Sequence, residues 1–314
     1  MANVLITGGA GYIGTKLTEY LLAQNHNVTV LDNLRFETSS IDAFQRNDLF
    51  QFIQGDARDE ELLSKLLKSN EYIFPLAALV GAPLCDKFPE EAVEVNEGSI
   101  EILLKNLTDE NKIIYPTTNS GYGTKSGDVH CTEETPLEPI SLYGNTKVNA
   151  EKKIIQSGRG ITLRLATIFG TSYRTRFDLM VNNFVYRALK DSKLEIYEGS
   201  FKRNFIHIND VCECFLFMMK NFKKLKGETF NLGQDNANMS KLDLAYKIKE
   251  QLPAIEIEES DSGNDIDKRN YIVSSEKLRG YGFEASVSIE DGICEMIEAA
   301  KEVIANDEEP KRNY

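Results

Sequence analysis

The chain has 314 residues, a formal charge of −13, and 27% of its residues are charged. That length can bury one large core or two unequal lobes, and an acid excess of this size works against non-specific attachment to nucleic acid or to an anionic membrane. The longest apolar runs fall short of the roughly 20 residues a helix needs to cross a bilayer, and no basic segment precedes the first strand, so the expectation is a soluble, cytoplasmic protein. The five cysteines, Cys85, Cys131, Cys212, Cys214 and Cys294, sit at unpatterned spacing and read as free thiols. Cys212 and Cys214 read as small core fillers; none of the three histidines is near a cysteine pair, so no metal site is expected.

Val4-Leu5-Ile6 has the bulk of a strand buried on both faces, and GGAGYIG follows at once. Ile13, Leu17, Tyr20 and Leu21 then recur at helical spacing, and a second apolar run, Val28 to Leu31, ends on Asp32. This is a β-α-β unit with a glycine-rich first turn. Gly8 or Gly9 permits the tight reversal, Gly11 lets the main chain approach a pyrophosphate, and Gly14 lets helix and strand pack closely. The first helical N–H groups then point at phosphate. Asp32 is placed to accept hydrogen bonds from ribose hydroxyls and would repel a 2′-phosphate, which predicts NAD rather than NADP.

The polar segment from Asn33 to Asn47 is expected to wrap the adenosine end. Phe50 to Ile53 reads as a third strand, leading to Asp56, which is placed to meet the adenine amino group, and to Asp59, which caps a helix from Glu60 to Lys68. Tyr72 to Phe74 begins a fourth strand with PLAALV as its exit; a helix after Pro89 runs to about Leu104 and carries Asn96. Lys112 to Tyr115 and Ile161 to Leu165 read as further strands. The alternation predicts an α/β fold with a doubly wound parallel sheet, whose ligands sit at the carboxyl ends of its strands. Beyond Gly170 helices near Leu179–Lys190, Asn209–Asn221 and Lys241–Gln251 alternate with short strands at 194–197, 205–208 and 229–232. The expected organisation is a dinucleotide-binding domain over 1–170 plus about 205–234, and a smaller substrate-binding lobe over 171–204 and 235–305. Glu256 to Asp267 reads as an acidic surface connection, and 306–314 as a frayed tail.

Tyr143-Gly144-Asn145-Thr146-Lys147 opens a helix that continues through Ala150, Ile154 and Ile155. Tyr and Lys four apart share one face, so the ammonium can lie near the phenol, favour its phenolate and fit it for general-base work.

GGAGYIG, Asp32, Gly55-Asp56, LAALV, the Thr118 loop ending in Tyr122-Gly123, YGNTK, RLATIFG and RNFIH together resemble the extended short-chain dehydrogenase/reductase family, and within it the NAD-dependent nucleotide-sugar epimerases and dehydratases. The resemblance covers almost the whole chain. It implies that Tyr143 is the base for a sugar hydroxyl, Lys147 its pKa-lowering partner and ribose ligand, and Thr118 a hydrogen-bond partner of the same hydroxyl. It implies a cofactor site formed by Gly8, Gly11, Tyr12, Ile13, Gly14, Asp32, Asn33, Asp56, Ala57, Leu76, Ala77, Ala78 and Asn96 together with Tyr143 and Lys147. Substrate contacts are implied for Val80, Asn119, Ser120, Thr167, Asn183, Arg203 and Arg269, the two arginines suiting a diphosphate. A homodimer, built from the helices at about Ala92 and Tyr143, is implied as well.

Departures from the family narrow the chemistry. The 4,6-dehydratases carry an Asp-Glu pair directly after the catalytic threonine, and the sugar-acid decarboxylases a glutamate in that loop; this chain has Asn119 and Ser120. Pro75 replaces the usual histidine and Asn204 the usual aspartate, and neither change has a physical account. What remains is oxidation at C4, by a 4-epimerase or a 4-dehydrogenase. LAALVGAPLC, TNSGYG and LATIFG are similar to the bacterial GDP-heptose 4-dehydrogenases of capsule biosynthesis. An NAD-dependent keto-sugar reductase and a non-catalytic NAD-binding regulator are the alternatives.

Overall fold

The computed structural model describes residues 1–36, 39–125, 130–260 and 270–313. The apolar run after Met1 forms β1 (Asn3–Thr7), and Val4, Leu5 and Ile6 are wholly buried as a strand covered on both faces requires. α1 (Tyr12–Ala23) returns the chain to β2 (Asn27–Asp32), and β3 (Phe50–Gln54) follows. α2 (Glu60–Leu67) starts where the Asp59 carboxylate accepts the Leu62 amide at 3.0 Å, the cap read from the sequence. β4 (Tyr72–Pro75) leads into a short α3 (Ala82–Lys87) that the sequence pattern did not indicate. The helix after Pro89 is α4 (Pro89–Val93), a π-helical turn over Glu94–Gly98, and α5 (Ser99–Lys105). β5 (Lys112–Thr118) runs three residues beyond the strand expected, and a 3-10 turn over Asn119–Tyr122 follows.

After the short β6 (His130–Cys131), α6 (Leu142–Ser157) opens with the Ser141 hydroxyl accepting the Gly144 amide at 3.1 Å. It closes on Gly158 at φ +62°, a left-handed cap. β7 (Gly160–Leu165) and, far downstream, β11 (Thr229–Leu232) complete a seven-stranded sheet of order β11-β7-β5-β4-β1-β2-β3, parallel throughout. The strand order reverses between β1 and β4. Both strands end at that crevice, and so do the glycine turn and the PLAALV exit. One face of the sheet packs on α1 and α8 (Ile208–Leu225), where Cys212 and Cys214 are wholly buried; the other packs on α2, α5 and α6.

A second apolar cluster lies away from this sheet. It joins α7 (Met180–Asp191), β9 (Lys193–Tyr197), α9 (Lys241–Gln251) and α11 (Ile289–Ala305) through Val181, Val185, Leu194, Ile196, Leu244, Ile248, Ile293 and Met296. A separate three-stranded sheet of β8 (Thr167–Phe169), β10 (Lys202–His207) and β12 (Asn238–Ser240) lies beside it. Two expectations are corrected here. Glu256–Ser260 is not an irregular connection but β13, paired in parallel with β9, where Lys193 meets Glu258; 261–267 lie outside the described residues. The end of the chain is docked rather than frayed: the Phe177 amide donates to the Lys311 carbonyl at 2.9 Å, and Asn313 is buried.

The helix that matters most, α6, is pinned from below. Arg164 on β7 meets Glu151 at 2.6 Å, with both side chains under 10% exposed, and donates to the Tyr122 hydroxyl at 3.0 Å. Removing one partner of a buried pair strands the other charge. Glu151→Ala is therefore expected to cost about 3–5 kcal/mol in urea unfolding, with a Glu151→Leu/Arg164→Met double variant losing much less. A single-variant loss below about 1 kcal/mol would show the pair to be effectively solvated.

Candidate active site

Gly8 turns the chain with φ +71°, and a Cβ there would lie 2.5 Å from the Ala77 backbone nitrogen. Gly14 rests on Gly9, where a Cβ would stand 2.5 Å from the Gly9 Cα. Only glycine fits either place, and both contacts draw α1 against the sheet so that it begins at the crevice. Gly11 caps α1 with no side chain laid across its first amides. Gly8, Gly11, Tyr12, Ile13 and Gly14 line one end of a cavity of about 750 Å³. Tyr12 is tied down by its hydroxyl, which donates to the Gly170 carbonyl at 2.8 Å.

Asp32 lines the same end and accepts from the Ala10 amide at 3.0 Å and the Leu34 amide at 2.8 Å. Burial raises its pKa, and the two amides oppose that rise. Asn33, Asp56 and Ala57 are beside it. Asp56 is more committed than its sequence position indicates. Arg58 grips both its oxygens, at 2.9 and 2.7 Å, and holds its pKa down at about 2. Leu76, Ala77, Ala78 and Val80 form the adjoining wall.

Tyr143 and Lys147 line the middle of the cavity, one helical turn apart on α6. Lys147 is 5% exposed, with its Nζ 4.0 Å over the Tyr115 ring. Burial drives its pKa from 10.5 to about 7, against the pull of Glu151 and Cys85. A lysine so placed is charged for only part of the neutral range, which tempers the expectation of a permanent cation beside the phenol. The Thr118 hydroxyl lies 2.8 Å from that of Ser120 and caps the 3-10 turn; both residues line the cavity.

Two residues expected at the site lie off the cavity wall. Asn119, expected to touch substrate, is wholly buried off the cavity wall, because the turn directs residues 118 and 120 one way and 119 the other. Asn96, expected to touch cofactor, is also off the wall. Its amide accepts from the Leu79 amide at 2.7 Å and donates to the Leu79 carbonyl at 3.0 Å and to the Thr146 hydroxyl at 3.1 Å. It braces the loop after β4 against α6.

The far wall holds Thr167, Asn183 and Arg203, all three expected there; Arg269 lies outside the described residues. The cavity also holds residues the sequence reading missed. Arg174 is 4% exposed, lies with its guanidinium over the Phe36 ring, and donates to the Arg312 carbonyl at 3.3 Å. Arg176 pairs with Asp178 at 2.5 Å, and Asn313, Arg187, Glu195, Tyr197, Lys241 and Tyr271 also belong to the lining. The sole sequence signal for the first pair was two arginines two apart before a helix.

Residues 4–233 match the model of the NAD dependent epimerase/dehydratase family. The chain is 28% identical over 305 residues to the low-salt glycan biosynthesis protein Agl12 of Haloferax volcanii, covering 93% of this chain and 96% of that one. It is 28% identical to UDP-glucose 4-epimerase of Lactobacillus helveticus over 274 residues, 78% of this chain and 81% of that one. Among solved structures, UDP-glucuronic acid 4-epimerase from Bacillus cereus, in complex with UDP-glucuronic acid and NAD, superposes with a TM-score of 0.82 at 27% identity, covering 96% of this chain and 99% of that one. The residues present fit NAD: a side-chain-free turn opens at a helix N-terminus for a pyrophosphate, and a carboxylate waits at the end of β2 for a ribose.

Lys147 yields a test without turnover. The unfolded chain keeps the lysine proton up to about 10.5 and the folded, cofactor-free chain only to about 7, so between these values the unfolded state binds more protons and stability rises with pH. Lys147→Met removes the penalty. Stripped of NAD, the variant is expected to be more stable than the parent below pH 7, by on the order of a few kcal/mol, with the gap closing as pH rises toward 10. Thermal unfolding across that range reads it; a gap that does not change with pH would refute it.

Proposed function

The chain belongs to the NAD-dependent epimerase/dehydratase family, and on that premise we propose that it oxidises the sugar of a nucleotide sugar at C4, as a 4-dehydrogenase or a 4-epimerase of surface-polysaccharide synthesis. The observation that carries this reading is that Tyr143, Lys147 and Thr118 share one cavity with the glycine turn. NAD, when bound, supplies the acceptor for the hydride that leaves the sugar carbon. Tyr143 takes the hydroxyl proton as that carbon becomes a ketone, and Thr118 and Ser120 hold the same oxygen. Lys147, when protonated, favours the phenolate that starts the reaction and reaches the ribose beside it. Arg203 and Asn183 hold the diphosphate side of the substrate, with Thr167 and Val80 against the sugar.

The loop after Thr118 supports oxidation over elimination or decarboxylation. Residue 119 is an amide turned off the cavity, and residue 120 is a hydroxyl. Neither offers the carboxyl those reactions use. The similarity of LAALVGAPLC and LATIFG to GDP-heptose 4-dehydrogenases makes a GDP-heptose the first substrate to assay. We also propose that the domain boundary runs near 170, with 205–234 returning to the first domain, and that α4, α5 and α6 pair across a twofold axis in a homodimer, which light scattering would detect.

Incubated with a panel of GDP- and UDP-sugars, the protein is expected to yield a 4-keto or C4-inverted product by mass spectrometry and NMR. Tyr143→Phe is expected to lower kcat by about 10²–10⁴-fold with NAD still bound. An active Phe variant would remove Tyr143 from the reaction, and no turnover across the panel would refute C4 oxidation.

A further inference from the structure

The lining contributed by α7, β9, β10 and α9 is mostly cationic and apolar, with Arg187, Arg203 and Lys241 turned to the cavity. Among its described residues one carboxylate stands out, that of Glu195. On β9, Leu194 and Ile196 are buried in the second apolar cluster while Glu195 and Tyr197 are partly exposed, and residues 195, 196 and 197 all reach the cavity wall. Lys193, two residues before Glu195, is engaged by Glu258 on β13. Glu195 receives hydrogen bonds from Tyr197 and from Ser260 at the end of β13, and these, with the weaker pull of Lys193 and Arg187, hold its pKa below the usual carboxylate range. It is an ionised, oriented carboxylate with lone pairs left for a ligand.

A carboxylate repels a diphosphate, so the part of a nucleotide sugar that meets Glu195 is a neutral part bearing N–H or O–H donors. Arg187, Arg203 and Lys241 suit the diphosphate. Tyr197 adds an aromatic ring on the same strand face, and a ring beside an in-plane acceptor is a combination that reads a base. The bases differ sharply in what they show such an acceptor. Uracil and thymine flank their single N–H with two carbonyls, and cytosine and adenine set a ring-nitrogen acceptor beside their amino group. Guanine alone presents two neighbouring donors, N1–H and N2–H, spaced for the two oxygens of a carboxylate.

Resting on the reading of the substrate as a nucleotide sugar, we propose that Glu195 is the residue that selects guanine, making this enzyme specific for GDP-sugars. Calorimetric titration of the NAD-loaded protein with GDP, UDP and inosine diphosphate, which lacks the 2-amino group, tests this directly. GDP is expected to bind at least about tenfold more tightly than either of the others, and Glu195→Gln to weaken GDP by about tenfold while leaving UDP within about twofold. Circular dichroism of the variant confirms that it folds.

UDP binding as tightly as GDP overturns the proposal. So does an equal loss for all three ligands in the variant, which would put the carboxylate on the ribose, and so does no loss at all. Selective GDP binding with no turnover of any GDP-sugar would refute C4 oxidation and leave the base assignment standing. If none of the three diphosphates binds, both readings fall.

Discussion

A lysine amine held out of water governs the centre of this molecule. Lys147 lies in a cavity wall at 5% exposure, and its natural escape would be a small rotation of α6 toward solvent. Three contacts oppose that rotation. Glu151 and Arg164 lock the helix to β7 in a site with almost no access to solvent, and the same carboxylate raises the affinity of Lys147 for its proton. Thr146 is held by Asn96, and Asn96 faces inward because it lies in a π-helical turn, where one extra residue per turn shifts the register of the helix surface. Ala150 and Ile154 pack beneath the helix among the residues of the second face of the sheet. Tyr143 inherits its position from all of these, being one turn up the same rigid element.

The overall charge of −13 conceals what the cavity is like inside. Its walls carry Arg35, Arg174, Arg176, Arg187, Arg203, Lys241 and Lys147 against Asp32, Asp56, Asp178, Glu91 and Glu195. Much of this charge is already spent within the protein, since Arg35 meets Glu91 and Arg176 meets Asp178. Net charge sets the long-range field that keeps polyanions away; the nearest few side chains set what binds in a cleft. An acidic surface and a cleft lined by several cations are compatible for that reason.

The first half of the chain could be read closely from its letters because its rules are local. A strand covered on both faces needs an unbroken apolar run, and a turn that touches backbone needs glycine, so β1, Gly8, Gly14 and β2 each announce themselves. What escaped reading depends on contacts distant in sequence. β13 carries three glutamates in five residues and pairs with β9, where Lys193 meets Glu258. The tail is polar and ends the chain, yet it docks because Phe177 and Arg174 offer hydrogen bonds to its carbonyls. Arg174 reaches the cofactor end from a segment with no periodicity to mark it. The bonds that tie Asn96 to the loop at Leu79 join positions 17 apart in sequence, and nothing in the local pattern marks them.

The turn after β5 shows how one residue's direction can narrow a reaction. Read as a string, Thr118-Asn119-Ser120 offers three consecutive polar groups to a substrate. Folded, the sequence passes from extended strand into a 3-10 turn, and Thr118 caps that turn by accepting the Ser120 amide. The two hydroxyls then meet at 2.8 Å on the cavity side while Asn119 is sealed behind them. Elimination of water from a sugar needs a group to take a proton from carbon and another to deliver one to the departing hydroxide. Paired alcohols do neither near neutral pH, since their ionised forms are inaccessible there. They can, however, donate and accept along a chain, from substrate oxygen to Thr118 to Ser120, which is what an oxygen passing between alcohol and ketone requires. Within the proposed reaction, proton transfer therefore falls to Tyr143, and the turn's contribution is to hold the oxygen still while its charge changes.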